Sequence, residues 1–113
     1  MSSSTDPLKR IQQLVAKGAY RVRLHAVRHM IEEAFDERQM LEALGGKLTL
    51  VEEYPDEARY LVLGHFSFTT RSRTPLHVLC DVSLKDVVDI VTAYIPQRPW
   101  WTGPTVRGQG PKK

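Results

Sequence analysis

Residues 75–96 read Pro75-Leu-His-Val-Leu-Cys-Asp-Val-Ser-Leu-Lys-Asp-Val-Val-Asp-Ile-Val-Thr-Ala-Tyr-Ile-Pro96. Leu76, Val78, Cys80 and Val82 alternate with His77, Leu79 and Asp81, the period-two signature of a strand with one wholly apolar face. Ser83-Leu84-Lys85-Asp86 reads as the turn, and a second strand carrying Ile90, Thr92 and Tyr94 folds back on the first. Centring the turn between Leu84 and Lys85 sets His77 opposite Thr92, Val78 opposite Val91 and Leu79 opposite Ile90. A slip of one residue would set Asp81 against Asp89, two like charges, so the first register is expected. It gathers His77, Thr92 and Tyr94 on one surface.

Upstream of this hairpin, Lys47–Tyr54 and Arg59–Phe68 read as two further strands joined by the turn Pro55-Asp56-Glu57-Ala58. The loop Thr69–Thr74 carries Arg71 and Arg73. The four strands make an antiparallel meander. Before them the pattern is helical. Asp6-Pro7 is an N-cap followed by a proline at the first helical position, Leu8, Ile11, Leu14 and Val15 form a stripe, and Gly18 is the stop. Tyr20–Leu24 alternates as a short strand or extended link, with Arg21 and Arg23 toward solvent. A second helix is expected from His25, with Val27, Met30, Ile31 and Ala34 inward and His25, Arg28, His29 and Glu32 outward. Asp36 with Gln39 makes a capping box and Phe35 with Met40 a hydrophobic staple, so a third helix starts there, buries Met40, Leu41 and Leu44, and ends at Gly45-Gly46. The expected fold is α+β: a helical N-terminal half packed on a four-stranded antiparallel sheet, one domain over residues 1–96.

Residues 97–113 hold Arg98, Arg107, Lys112 and Lys113 and no acid, while residues 1–96 hold twelve basic and thirteen acidic side chains. The basic pI of about 9.2 therefore belongs to the tail, and the domain itself is near neutral. Three prolines and several glycines mark that tail as extended or disordered, and Trp100-Trp101 within it suits packing on the domain or a partner better than stacking on bases. No apolar run has the length of a membrane span, and the Met-Ser-Ser-Ser-Thr-Asp-Pro start lacks the character of a signal peptide, so a cytoplasmic protein is expected. The single Cys80 lies on the apolar strand face, as a buried inert thiol would.

His25-Ala26-Val27-Arg28-His29-Met30, Val51-Glu52-Glu53-Tyr54-Pro55-Asp56, Leu61-Val62-Leu63-Gly64, Pro75-Leu76-His77-Val78 and Thr92-Ala93-Tyr94-Ile95-Pro96 together resemble a family of small bacterial domains of unknown function. The resemblance covers roughly residues 20–96, with the motifs in order. That family is similar to the RelE- and BrnT-type toxins, within the barnase, EndoU, colicin and RelE group of metal-independent ribonucleases. The resemblance implies a RelE-like fold, an RNA-cleaving face on the sheet, RNA as a partner and a small antitoxin-like protein as another. The arginine that the pattern places just before the methionine is His29 here, with Arg28 one place earlier.

Cleaving RNA without a metal needs a base for the 2′-hydroxyl, an acid for the leaving oxygen, and cations or donors for the phosphorane. Histidine suits the first two roles near neutral pH and arginine the third. His77, His25, Arg28, Thr92 and Tyr94 are the candidate catalytic set, and Arg59, Arg71 and Arg73 the candidate phosphate contacts. The bland alternatives are a satisfied strand histidine and an Arg28–Glu32 helix-surface pair. His25 and His29 with Glu32 or Glu33 have a spacing zinc accepts, but without the H-E-x-x-H order or a cysteine cluster no metal or other cofactor is expected. A non-catalytic protein-interaction module is the competing function.

Overall fold

The computed structural model describes residues 6–96, 101–103 and 105–107. Helix α1 (Pro7–Ala16) starts where expected: the Asp6 carboxylate accepts from the backbone N–H groups of Leu8 and Lys9, and Ile11 and Leu14 are buried. Gly18, at φ 77°, turns the chain into β1 (Tyr20–Val22). Helix α2 (Leu24–Glu33) follows at once and ends on Ala34 in the left-handed region, at φ 62°. Helix α3 (Glu37–Gly45) has the expected capping box, with both Asp36–Gln39 bonds at 2.9 Å, and Phe35 and Met40 are both buried beneath it. Its last carbonyls are met from α1, where the Gln12 amide donates to Leu44 O and Gly46 O.

The remaining strands are β2 (Thr49–Tyr54), β3 (Arg59–Phe66), β4 (Thr74–Asp81) and β5 (Val88–Tyr94), with a 3₁₀ turn at Pro55–Glu57. In the tail, β6 (Trp101–Gly103) and β7 (Val106–Arg107) pair antiparallel. The expectations for Arg98, Trp100 and the tail's other residues beyond 101–103 and 105–107 lie outside the described residues. The fold is α+β, as expected, but the main sheet has five strands in the order β1-β5-β4-β3-β2 and is mixed. The four-stranded antiparallel expectation fails because Tyr20–Val22 joins the edge of the sheet parallel to β5. Alternation over Tyr20–Leu24 leaves a short strand or an extended link open, and nothing local shows that it pairs parallel with a strand almost seventy positions away.

The expected hairpin register also needs correcting. His77 stands opposite Tyr94, Val78 opposite Ala93 and Leu79 opposite Thr92; a bulge then inserts Val91, so that Cys80 faces Ile90 and Asp81 faces Asp89. The like-charge pair that argued against this alignment is present. Each aspartate has its own arginine: Arg59 Nε donates to Asp81 at 2.9 Å, and Arg21 and Arg23 both reach Asp89. Those cations come from β3, β1 and the start of α2, beyond the reach of a two-strand argument.

One face of the sheet, with Val62, Leu76, Val78, Cys80, Ile90 and Ala93, forms the core beneath the helices. Cys80 is fully buried, and burial pushes its thiol up to about 12, so it is inert. Helix α3 crosses β3 at Gly64, where a β-carbon would lie 2.8 Å from the Ala43 carbonyl carbon and closer still to its oxygen. Helix α2 lies instead beside the second half of β5, held at one end by Arg23 N–H donating to Ile90 O (2.9 Å) and at the other by Ile95 N–H donating to Glu33 Oε1 (2.6 Å). Ten helical residues rise about 15 Å, close to the length of the five residue steps from Ile90 to Ile95 along the strand. At the sheet edge only a narrow stripe of α2 is covered, so Ala26 and Met30 are buried while Ile31, expected inside, is 75% exposed and Ala34 is exposed.

Two substitutions test this packing by chemical denaturation. Gly64→Ala is expected to destabilise by about 1–3 kcal/mol, because backbone is what the new methyl meets. Ala34→Gly is expected to stabilise by up to about 1 kcal/mol, by relieving a left-handed alanine at an exposed helix end.

Candidate functional site

The outer face of the sheet, away from the helices, divides into two ends. At one end the row Arg21, Asp89, Asp81 and Arg59 crosses four strands. Asp89 is 4% exposed and Asp81 8%. Arg21's hydrogen bonds, opposed by burial and helped by Arg23, hold Asp89 below the usual carboxylate range. Burial raises Asp81, but the Ser83 hydroxyl and backbone N–H and the Arg59 guanidinium outweigh it and leave this carboxyl lowered as well. These groups satisfy one another, and Arg59 is taken up by them. It stands at the opposite end of β3 from Arg71 and Arg73, which are exposed around the turn before β4.

At the other end the aromatic and imidazole rings gather. Tyr94 and His77 stand directly across from each other on β5 and β4. Their rings meet edge to face at 5.2 Å, and His77 Nδ1 lies 3.3 Å from the Tyr94 hydroxyl, with the tautomer deciding which one donates. From α2, the His29 ring lies 6.3 Å from Tyr94, and His25 meets His29 edge to face at 4.7 Å. The result is a chain of rings His25, His29, Tyr94 and His77. It runs from the exposed surface of a helix to a histidine with no solvent exposure.

The sequence-derived residues fall as follows. His25 and Tyr94 join this chain, and Thr92 lies on the same face two residues before Tyr94, opposite Leu79. Arg28 is exposed one helical turn from His25, about 60° round the helix, and forms no ion pair with Glu32 or any other described residue. His77 is present but fully buried, so solvent reaches the group through Tyr94, His29 and His25.

Three residues escaped the sequence reading of catalysis. His29 was visible only as a metal-spacing partner of His25. Glu33 lies behind it, Oε2 3.6 Å from His29 Nδ1. His65 is on the same outer face, paired with Pro75 and so diagonal to His77; burial, with Arg73 nearby, lowers its pKa. Its signal was its parity with Leu61 and Leu63 on β3. Among the described residues no group of three or more His, Cys, Asp or Glu is arranged to hold a metal ion, and no helix is long and apolar enough to cross a membrane. No family model, curated protein or solved structure matches the chain.

The charged end supplies a pH-dependent test. Unfolded aspartates titrate near about 3.9, and both folded ones lie lower, so their stabilisation is full above that value and fades as pH falls through the folded values. Asp89→Asn is expected to cost about 1–2 kcal/mol at pH 7, since its exposed arginines can rehydrate. Denaturation repeated near pH 2 should show that difference largely gone; an unchanged gap would mean the carboxylate charge is not what matters.

Proposed function

We propose that this protein is a metal-independent endoribonuclease of the RelE/BrnT-like kind, working by general acid/base chemistry at the ring-lined end of the outer sheet face. The single observation that carries the reading is the unbroken chain of proton-carrying rings from exposed His25 to buried His77. The α+β class, with helices in the N-terminal half packed on a sheet, agrees with what the sequence resemblance implies, while the mixed five-stranded sheet departs from the antiparallel one it implied. A solvated end meets a polynucleotide; a buried end fixes geometry.

In this reading Arg28 places positive charge beside His25, where a phosphate would sit. The exposed His25 donates a proton to the leaving 5′-oxygen. The Tyr94 hydroxyl, fixed by His77, and Thr92 offer donors to the non-bridging oxygens. Attack by the 2′-oxygen on phosphorus forms one P–O bond as the P–O5′ bond breaks, leaving a 2′,3′-cyclic phosphate and a free 5′-hydroxyl. Arg71 and Arg73, exposed on the loop before β4, extend the path for the RNA backbone. Arg59 is held by Asp81 and is left out of this path.

A second reading, a non-catalytic module that binds a small antitoxin-like or other partner protein, is favoured by Leu24 at 67% exposure and Ile31 at 75% on the outer side of α2. The two readings separate in one assay: purified protein with structured and single-stranded RNA in excess EDTA, from pH 5 to pH 9. The ribonuclease reading expects cleavage with a bell-shaped pH profile, a loss of about 10²–10⁴-fold for His25→Ala and a smaller loss for Arg28→Ala. RNA left intact across that range sinks it and favours the interaction module.

A further inference from the structure

The base that accepts the 2′-hydroxyl proton is the role still without a residue. We infer that His29 fills it, with Glu33 as the positioning residue that holds its ring; this deepens the ribonuclease reading and rests on it.

His29 Nδ1 is buried and has no hydrogen-bond partner among the described residues, whereas buried ring nitrogens ordinarily have one. The nearest acceptor is Glu33 Oε2, one helical turn on, at 3.6 Å. That is slightly beyond hydrogen-bonding range, the looseness such contacts show before substrate tightens them. Glu33 itself does not wander, because its other oxygen accepts the Ile95 backbone N–H at 2.6 Å. One carboxylate therefore ties the end of β5 to α2 with Oε1 and aims Oε2 at the buried edge of an imidazole.

A carboxylate can only accept, so it selects the tautomer with the proton on Nδ1 and leaves Nε2 bare. The His29 side chain keeps 31% exposure while Nδ1 is buried, and among the described residues Nε2 is neither hydrogen-bonded nor buried without a partner, so Nε2 is the ring nitrogen open to solvent. A bare ring nitrogen in contact with solvent, flanked by His25 and Tyr94, is what a general base for a 2′-hydroxyl requires. The other ionisable groups facing the ring are Glu33 and His25 from α2 and Tyr94 from β5, with His77 of β4 behind Tyr94. The balance closes: the 2′-hydroxyl proton goes to His29 Nε2, the 2′-oxygen bonds phosphorus, the P–O5′ bond breaks and O5′ takes a proton from His25. Both rings then re-equilibrate with water.

Glu33→Gln separates the two jobs of the residue. Glutamine Oε1 still accepts from Ile95 N–H, so the fold is retained, but its amide now donates toward His29 Nδ1 and selects the opposite tautomer. Imidazole ¹⁵N shifts, measured by long-range ¹H–¹⁵N correlation at high pH, read this directly. The expected result is an Nδ1–H tautomer at His29 in the wild type and an Nε2–H tautomer in Glu33→Gln. Cleavage by Glu33→Gln should fall about 10–100-fold in kcat with KM little changed, and that of His29→Gln about 10²–10⁴-fold. A wild-type His29 already in the Nε2–H form, or a tautomer indifferent to Glu33→Gln, overturns the inference even if RNA is cut. The expected tautomer switch in a protein that leaves RNA intact overturns the base role together with the ribonuclease reading, and retains only the Glu33–His29 pair.

Discussion

The position of α2 along the edge of β5 governs what the outer face can do. Strand β1 lasts three residues; the Arg23 N–H then makes one more sheet-like bond to Ile90 O, and the chain coils into a helix where strand would otherwise continue. That helix takes over the edge of β5 for the rest of its length and is pinned again at Ile95 through Glu33. Edge strands left open invite pairing with other chains, and here the exposed half of β5 is closed by a helix. The same placement turns one side of α2 toward the core with Ala26 and Met30, and sets His29 beside Tyr94 with His25 against His29.

The two ends of the outer face carry different polar groups. At one end an aspartate pair across a bulged register is neutralised by arginines from neighbouring strands, each carboxylate with its donors in place. At the other, a buried nitrogen of His29 lies 3.6 Å from its nearest acceptor, Glu33. Saturated contacts belong to stability.

Local chemistry was legible in the sequence wherever neighbours in the chain are neighbours in space. The Asp6 cap, the Asp36–Gln39 box and the faces of β4 all follow from spacing a few residues apart. The failures share one cause, long-range partners. Asp81 opposite Asp89 looked prohibitive because Arg59, Arg21 and Arg23 arrive from other elements, and β1 was invisible as a parallel strand because its partner is β5. Ile31 was placed inside because periodicity says which residues share a face and is silent on how wide a stripe the edge of a sheet will cover. Of the candidate site, His25, Thr92, Tyr94 and His77 could be nominated from residue type and alternation. His29, Glu33 and His65 needed the docking of α2 and the β3–β4 register to be seen as neighbours of the rest.

The proposed ribonuclease would engage RNA at the ring-lined end of the outer face. That engagement is tested most directly by mapping amide and imidazole NMR shifts during titration with an RNA oligonucleotide whose 2′-hydroxyls are replaced by hydrogen, so that binding proceeds without cleavage. The account predicts saturable shifts at His25, Arg28, His29 and Tyr94, weakening steeply with added salt. Shifts confined to the Asp81–Asp89 end, or none at all at concentrations that saturate the arginine loop, would contradict it.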